Sequence, residues 1–212
     1  MPLYKTITVD SHVKVLIWKV EETEAQLSKG IELTPICHKR LVGMKSELHR
    51  RGFLSIRHLL AEEGYEDKDL YYDEVGKPHL KDGRFISITH SHNFTGIIVS
   101  DRLEVGIDIE MQRDKILKIA SKYTPLEEYK TVANPDALIR KLTIVWGAKE
   151  SLYKICAQKG ISFLHHMDIT DFSLSDSQTT GSIIYKGKSS NYDINFLEFE
   201  GYTCVYAIKT QE

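Results

Sequence analysis

The run Val105-Gly106-Ile107-Asp108-Ile109-Glu110 lies in the middle of the 212-residue chain and is typical of a β-strand. Side chains two residues apart in a strand share a face, so Asp108 and Glu110 point one way and the isoleucines the other. Two neighbouring carboxylates repel, and a bound hard cation or a shared proton would relieve that repulsion. The alternative is an ordinary amphipathic edge strand with two solvated acids. Gly106 indicates close approach by another backbone or a ligand.

A second informative run, Trp146-Gly-Ala-Lys-Glu150-Ser-Leu-Tyr-Lys154, lies in a predicted helix that covers 136–159 and ends at Gly160. Glu150 and Lys154 are four residues apart and therefore neighbours on one helix face, with Trp146 one turn earlier. One face can thus supply a carboxylate for a metal and an ammonium for a phosphate. A common surface Glu–Lys pair is the alternative.

Polar residues also cluster at the end of a predicted strand, in Ile88-Thr89-His90-Ser91. They can donate to a phosphate or carboxylate, or simply end the strand. His90 and His92 share a face, but no further Cys or His has the spacing of a zinc site. In the predicted turn Gly76-Lys77-Pro78, the lysine can face an anion, although most such tripeptides are only turns. Residues 38–51 are rich in basic residues, which suits a phosphate or a solvated helix face.

The remaining pattern predicts the fold class. Strands are expected at 4–18, 85–89, 96–100 and 105–109, the last three as one meander, and helices at 35–64 and 114–123. Four further strands are expected at 168–174, 182–185, 192–199 and 202–209, with hairpin turns at Gly187 and Gly201. This order predicts an α+β chain with an N-terminal lobe at 1–103 and a C-terminal lobe at 104–212.

Composition excludes several classes of protein. The 28 Lys and Arg nearly balance the 30 Asp and Glu, which argues against a general nucleic-acid binder. The 42% hydrophobic content supports a real core, and no apolar run approaches the ~20 residues of a membrane helix. The N-terminus lacks the apolar segment of a signal peptide. Cys37, Cys156 and Cys204 are odd in number and widely spaced, which predicts a reduced, cytoplasmic protein with thiols in the core. The P-loop, the dinucleotide fingerprint and the nucleophile elbow are absent.

Taken in order, these motifs resemble the 4′-phosphopantetheinyl transferases, in particular the single-chain, two-lobed type that includes the surfactin-synthetase activator. The family patterns are Gly-Lys-Pro, Phe-Asn-x-Ser-His-Ser, Gly-(Ile/Val)-Asp-(Ile/Val)-Glu and Trp-x-x-Lys-Glu-(Ala/Ser)-x-x-Lys. The last two match at every defining position. Departures are Thr89 for the usual Ser, Ile86-Ser87 for Phe-Asn, and Tyr123 for Phe in the element that contains Glu127.

The resemblance implies two similar, pseudo-twofold lobes, each a small, mostly antiparallel sheet packed with helices, with the active site at their interface. It implies a monomer, because members half this long must trimerise to build the same cleft. The implied reaction moves 4′-phosphopantetheine from coenzyme A to a serine of an apo carrier protein and releases adenosine 3′,5′-bisphosphate.

The resemblance also implies roles for individual residues. Mg²⁺, or Mn²⁺, which suits the same donors, would be held by Asp108, Glu110 and Glu150. Glu150 is the expected base for the serine, with Glu127 as second candidate. Lys154 would assist catalysis and, with Lys77, bind the α- and β-phosphates of coenzyme A. The 3′-phosphate end is assigned to Thr89, His90, Lys45, Arg50 and Arg51.

The implied partner is an acyl or peptidyl carrier protein that presents an acidic helix; neither nucleic acid nor membrane is expected. Lys115, Lys118 and Lys122 recur on one helix face beside Ile116 and Ile119, and we expect them to dock the carrier. A solvated lysine face is the alternative there. Two alternatives to the enzyme remain at this point: a catalytically silent relative that binds coenzyme A or a carrier protein, and a regulatory protein with a structural Ca²⁺ site.

Overall fold

The computed structural model describes residues 3–125, 129, 132 and 134–210 and divides into two units, Met1–Arg102 and Leu103–Glu212. Each unit packs helices against an antiparallel sheet. The predicted α+β class with mostly antiparallel sheets is therefore confirmed. No helix in the described residues is long and apolar enough to cross a membrane.

The N-terminal unit contains a four-stranded sheet in the order β1-β2-β6-β5 and a separate hairpin, β3-β4. The strands are β1 (Leu3–Thr8), β2 (Val13–Lys19), β3 (Leu70–Tyr72), β4 (Pro78–Leu80), β5 (Phe85–Ser91) and β6 (Phe94–Ser100). The helices are α1 (Glu24–Leu27), α2 (Pro35–Gly43) and α3 (Glu47–Glu62), with a 3₁₀ turn at Asp67–Asp69.

Helix α3 supplies the helical side of this unit's core. Phe53, Ile56, Leu59 and Leu60 recur at helical spacing and pack with buried residues of β2 and β6. The sequence predicts one long helix after Pro35, and this prediction is wrong in one respect. The helix stops at Gly43 and restarts at Glu47, because Ser46 caps a new N-terminus by accepting a hydrogen bond from the His49 amide.

The C-terminal unit has a five-stranded sheet in the order β7-β11-β10-β9-β8. The strands are β7 (Val105–Met111), β8 (Met167–Ile169), β9 (Gln178–Tyr185), β10 (Lys188–Phe199) and β11 (Tyr202–Lys209). The helices are α4 (Lys115–Ile119), α5 (Pro135–Cys156) and α6 (Phe163–His166), with a 3₁₀ turn at Ala120–Lys122. The hairpin turns expected at Gly187 and Gly201 are present, and both glycines have a positive φ.

Strand β7 corrects a second prediction. The sequence places it in one meander with β5 and β6, and those two strands do pair with each other. Strand β7 instead pairs along its whole length with β11, from Val105 opposite Ile208 to Met111 opposite Tyr202. A partner that lies about a hundred residues later in the chain leaves no trace in local periodicity.

Helix α5 lies very close to β7, and two glycines make this possible. A Cβ placed on Gly106 would be 2.0 Å from the carbonyl oxygen of Ser151. A Cβ on Gly147 would be 2.8 Å from a methyl of Val205 on β11. Ser151 is fully buried between these elements and donates its hydroxyl to the carbonyls of Gly147 and Val205. The close approach that the sequence indicates at Gly106 is thus made by the backbone of a helix.

We predict that Gly106→Ala lowers the free energy of unfolding by about 1–3 kcal/mol or more, because the helix must move away from the strand. Urea denaturation measures the change. Gly43→Ala is the control, since no atom lies within 4 Å of its added methyl and its φ is not positive, so it should be neutral or slightly stabilising. Equal stability of the two variants would contradict this account of the packing.

Candidate active site

The close packing of α5 on β7 assembles a group of charged side chains. Asp108 is buried, at 6% exposure, and accepts a hydrogen bond from Lys154 at 2.9 Å between Oδ1 and Nζ. The same ammonium donates to the carbonyl of Ile107 at 2.7 Å. The alternative of two solvated acids on an edge strand is therefore wrong for Asp108. Lys154 lies one helix turn after Glu150, and it also forms hydrogen bonds to β7.

Burial and neighbouring carboxylates raise the pKa values of Glu110 and Glu150. Burial and the nearby Asp108 carboxylate raise the pKa of Glu110. A hydrogen bond that the Trp146 indole donates to Glu110 opposes part of this shift. Burial raises the pKa of Glu150 to about 7, with Asp108 and Glu110 adding to the shift and Lys154 opposing it. Three carboxyl groups and one ammonium thus interact electrostatically, and the excess of acidic groups favours the binding of a cation.

The donor chemistry of this group suits a hard divalent cation, because carboxylate oxygens are the ligands that Mg²⁺ and Mn²⁺ prefer. Asp108, Glu110 and Glu150 are the residues that would hold it. As they stand, however, no three His, Cys, Asp or Glu side chains in the described ranges are arranged to bind a metal ion.

Lys149 has a position that the sequence does not reveal. It is 3% exposed, and its ammonium donates to the carbonyls of Tyr123, Phe163 and Met167 at 2.6, 2.8 and 2.8 Å. It points away from Glu150, although the two are adjacent. A lysine in a helical motif carries no sequence signal for a carbonyl partner, so only the structure distinguishes it from Lys154.

Two cavities lie on either side of Trp146 and Ile119. The first, of about 200 Å³, contains Glu110 in its wall and also includes Arg113, Lys115 and Thr143. The second, of about 380 Å³, is lined by Lys122, Tyr123, Ser162 and Phe163 in addition to the two shared residues. A substrate group can therefore approach the Glu110 carboxylate beside an indole ring and exposed basic side chains.

The comparison with protein families decides the assignment, since the model of the 4′-phosphopantetheinyl transferase superfamily matches residues 104–207. Residues 104–207 belong to this superfamily. The match contains β7 and α5 and thus every charged residue of the group just described. No curated protein matches the chain. Membership supports phosphopantetheinyl transfer as the general activity of this transferase.

The residues predicted to bind coenzyme A, apart from Lys154, lie in the N-terminal unit of the transferase, beginning with Lys77. It is half-buried in the loop that joins β3 to β4, as the Gly-Lys-Pro pattern predicts. The Asp73 carboxylate accepts hydrogen bonds from the amides of Val75 and Lys77, and Gly76 has a φ of +85°. These bonds fix the loop and therefore the starting point of the lysine side chain.

Thr89 and His90 point to opposite faces of β5, because they are consecutive in a strand. Thr89 is buried, whereas His90 is exposed. The His90 ring lies 6.0 Å from the ring of His49 on α3. The structure therefore places a second imidazole beside His90. In the sequence, His49 stands out only as part of the basic stretch.

Three basic residues assigned to the 3′-phosphate have different surroundings. Arg50 pairs with Glu24 at 2.9 Å and donates to the carbonyls of Met44 and Lys45. Arg51 donates to the carbonyl of Val20, and its Nε is buried with no hydrogen-bond partner in the described ranges. Lys45 is exposed. Both arginines thus already bind the protein itself, and their role toward phosphate stays a prediction.

Glu127, the three lysines near α4 and the cysteines are the other residues that the sequence singled out. Glu127 lies outside the described residues. Lys115, Lys118 and Lys122 are all exposed, but α4 ends at Ile119, so the three do not lie on one continuous α-helix. Ile116 is buried and Ile119 half-buried in the core of this unit. Cys204 is fully buried, whereas Cys37 and Cys156 are half-buried and pack against the cores of their units, so the expectation of core thiols holds in full only for Cys204.

Helix α2 carries part of the basic stretch and has no fully buried residue; Cys37 and Leu41 pack against the core, and polar contacts hold its N-terminus as well. Its capping residue, Thr34, donates both its amide and its hydroxyl to Asp67 at 2.8 Å. Asp67 is also paired with the buried Arg57 at 2.8 Å. Burial alone would raise the pKa of Asp67, but the Thr34 and Arg57 hydrogen bonds outweigh it and hold that pKa below its ordinary value.

Since the pKa of Asp67 is lower in the folded protein, its contribution to stability is present above the ordinary pKa of an aspartate and is lost as the pH falls below it. We predict that Asp67→Asn is less stable than wild type at pH 7 and that this difference shrinks in acid. Urea denaturation across the acidic range measures it. Asp168→Asn, which removes a carboxylate at an exposed position of β8, is the control. A difference that stays constant with pH would contradict the ionic role of Asp67.

Proposed function

We propose that this transferase moves the 4′-phosphopantetheinyl group of coenzyme A to a serine hydroxyl of an apo acyl or peptidyl carrier protein, with Mg²⁺ as cofactor. We further propose that it is a cytoplasmic monomer of the single-chain, two-lobed type. The observation that carries the proposal is the packing of α5 on β7, which brings Asp108, Glu110, Glu150 and Lys154 together inside the region matched by the superfamily.

The reaction requires stabilisation of negative charge and removal of one proton. The serine oxygen attacks the β-phosphorus, a P–O bond to serine forms, and the bond from that phosphorus to the bridging oxygen breaks. Adenosine 3′,5′-bisphosphate leaves with the bridging oxygen. A divalent cation held by Asp108, Glu110 and Glu150 would neutralise charge on the pyrophosphate. Lys154 and Lys77 would add positive charge to the phosphates, which stabilises the transition state electrostatically.

The proton of the serine needs a base of suitable pKa, and a base acts best when its pKa lies near the working pH. Glu150 is the first candidate: without a metal ion, burial and its carboxylate neighbours raise its pKa to about 7, and a cation held beside it would lower that pKa and keep the carboxylate ionised to accept the proton. Glu127 is the second candidate. On the coenzyme side, Thr89, His90 and the exposed Lys45 are proposed for the 3′-phosphate end, with His49 beside His90 as a further donor.

Mass spectrometry of an apo carrier protein tests the proposal after incubation with the transferase, coenzyme A and Mg²⁺. The expected result is a gain of one phosphopantetheinyl group that disappears without a divalent metal. Binding of coenzyme A without any gain, across fatty-acid, polyketide and peptide-synthetase carriers, would indicate the silent relative instead. Metal binding with neither transfer nor coenzyme A binding would indicate the regulatory Ca²⁺ protein.

We predict that Glu150→Gln abolishes turnover and weakens the dependence on Mg²⁺, whereas Glu127→Gln has a milder effect. A general base contributes typically 10²–10⁴-fold, so single-turnover rates separate the two variants. Titration with Mg²⁺ gives the apparent metal affinity of each. Equal losses of rate with unchanged Mg²⁺ affinity would refute the assignment of Glu150.

We also propose that the carrier docks on the lysines of the α4 segment. Lys115, Lys118 and Lys122 are exposed beside the two cavities, and Lys115 and Lys122 contribute directly to the cavity walls. An acidic helix of a carrier would find complementary charge there, and such attraction acts on association and weakens with salt.

The double variant Lys118→Glu/Lys122→Glu is predicted to raise the KM for the carrier and to leave the KM for coenzyme A unchanged. Steady-state kinetics with each substrate varied in turn measures both constants. Lys159→Glu/Lys188→Glu is the matched control, since it makes the same change of net charge at exposed lysines elsewhere in the C-terminal unit. An unchanged carrier KM in the first variant, or an equal rise in the control, would reject this docking surface.

A further inference from the structure

The three carbonyls that bind Lys149 belong to three separate segments around α5. Tyr123 follows the 3₁₀ turn that continues α4, Phe163 begins α6, and Met167 begins β8. The ammonium has three N–H groups, and each finds one carbonyl oxygen within 2.8 Å. Lys149 therefore fastens three segments to one helix by charged hydrogen bonds, which are stronger than neutral ones.

Two of the fastened segments form the aromatic wall around Trp146. The rings of Tyr123 and Phe163 lie 5.0 and 5.6 Å from the Trp146 ring, and Tyr153 contacts Phe163 at 5.6 Å. Tyr123, Trp146 and Phe163 line the cavity of about 380 Å³, with Lys122 on the same wall. The indole of Trp146 also donates to Glu110. Lys149 thus acts on the second cavity and, through the indole, on the first.

We propose that Lys149 is a positioning residue for the carrier-protein substrate, which holds the α4 segment and α6 around the cavity beside Trp146. This inference rests on the proposed function. Lys149 donates to backbone carbonyls of that wall, whereas Lys154, one turn later, donates to Asp108. The two lysines of the motif therefore serve different substrates, Lys149 the carrier and Lys154 the coenzyme.

The physical reason is the burial of the ammonium. A neutral side chain at position 149 would leave three carbonyl oxygens without this donor inside the protein, and such oxygens turn toward water or another donor. The wall of the cavity would then lose its fixed shape. The hydrogen bond between Asp108 and Lys154 involves none of these three carbonyls and would remain.

Steady-state kinetics of Lys149→Ala tests the assignment. The carrier KM should rise about tenfold or more, the effect of losing a charged hydrogen bond. The affinity for coenzyme A, measured by calorimetry, should not change. Lys141→Ala is the matched control, because Lys141 lies on the same helix and donates to Asp171 and to the carbonyl of Phe172, away from Trp146. A rise of carrier KM in both variants, or an equal loss of coenzyme A affinity, would overturn the proposal.

Chemical rescue separates positioning from a general loss of structure. In Lys149→Ala, n-propylammonium should restore the carrier KM, since it supplies the missing methylenes and three N–H donors. Tetramethylammonium at the same concentration should not, because it has no N–H. Failure of n-propylammonium to restore the KM, or a variant that does not fold by circular dichroism, would overturn the proposal and make Lys149 a folding element.

A spectroscopic measurement keeps the inference distinguishable from the proposed function. Trp18→Phe leaves Trp146 as the single tryptophan of the chain. In that background, Lys149→Ala should shift the Trp146 emission and n-propylammonium should reverse the shift. An unchanged emission would refute the carbonyl clamp, whether or not transfer occurs. Reversal of the shift in a protein that modifies no carrier would retain the clamp and refute the substrate assignment together with the proposed function.

Discussion

The contact between Gly106 and the backbone of Ser151 sets the register on which the rest of the C-terminal unit depends. From this contact, Asp108 lies beside Gly147 and Glu110 beside Trp146, so α5 runs antiparallel to β7. A strand advances about 3.3 Å per residue and a helix about 1.5 Å, so two strand residues match roughly four helix residues. The spacing of the acids on β7 therefore matches one turn of α5. A side chain at position 106 would separate both elements and disperse the charged group.

The geometry of a helix turn places the charged side chains of α5 on different faces of the helix. Consecutive residues point about 100° apart, so Lys149 enters the protein while Glu150 faces the carboxylates of β7. Lys154 lies on the same helix face as Glu150 and donates a hydrogen bond to Asp108. Burial raises the pKa values of Glu110 and Glu150, and the excess of three carboxyl groups over one ammonium on the β7 side adds to both shifts. Such an excess of negative charge suits a cation better than a further anion, and phosphate groups need that cation to approach.

Local sequence patterns predicted the features that depend on neighbours along the chain. Alternation placed Asp108 and Glu110 on one face, and four-residue spacing placed Glu150 beside Lys154. Long-range features left no such signal: β7 pairs with β11 rather than β6, and Arg50 binds Glu24 and backbone carbonyls. A basic residue has the same identity whether its donors meet a phosphate or a carbonyl. The break before α3 was different, because Gly43 and Ser46 are recognisable end and start signals that the continuous basic pattern obscured.

Two arginines of the N-terminal unit, Arg50 and Arg57, form hydrogen bonds and ion pairs within the protein, and these contacts limit how the two residues can bind a phosphate. Arg57 holds Asp67, and through it the start of α2, while Arg50 binds the carbonyls that come after the end of that helix. Two arginines of α3 thus help to hold a helix whose apolar contacts with the core are limited to the half-buried Cys37 and Leu41. Of the groups assigned to the 3′-phosphate end, Lys45 and His90 are exposed, with His49 beside His90, and neither a lysine nor an imidazole forms the rigid fork of a guanidinium. Recognition of a phosphate by Lys45, His90 and His49 would therefore rely on several donors that act together, whereas the exposed Arg40 on α2 is the guanidinium of the basic stretch that could bind a phosphate through two donors.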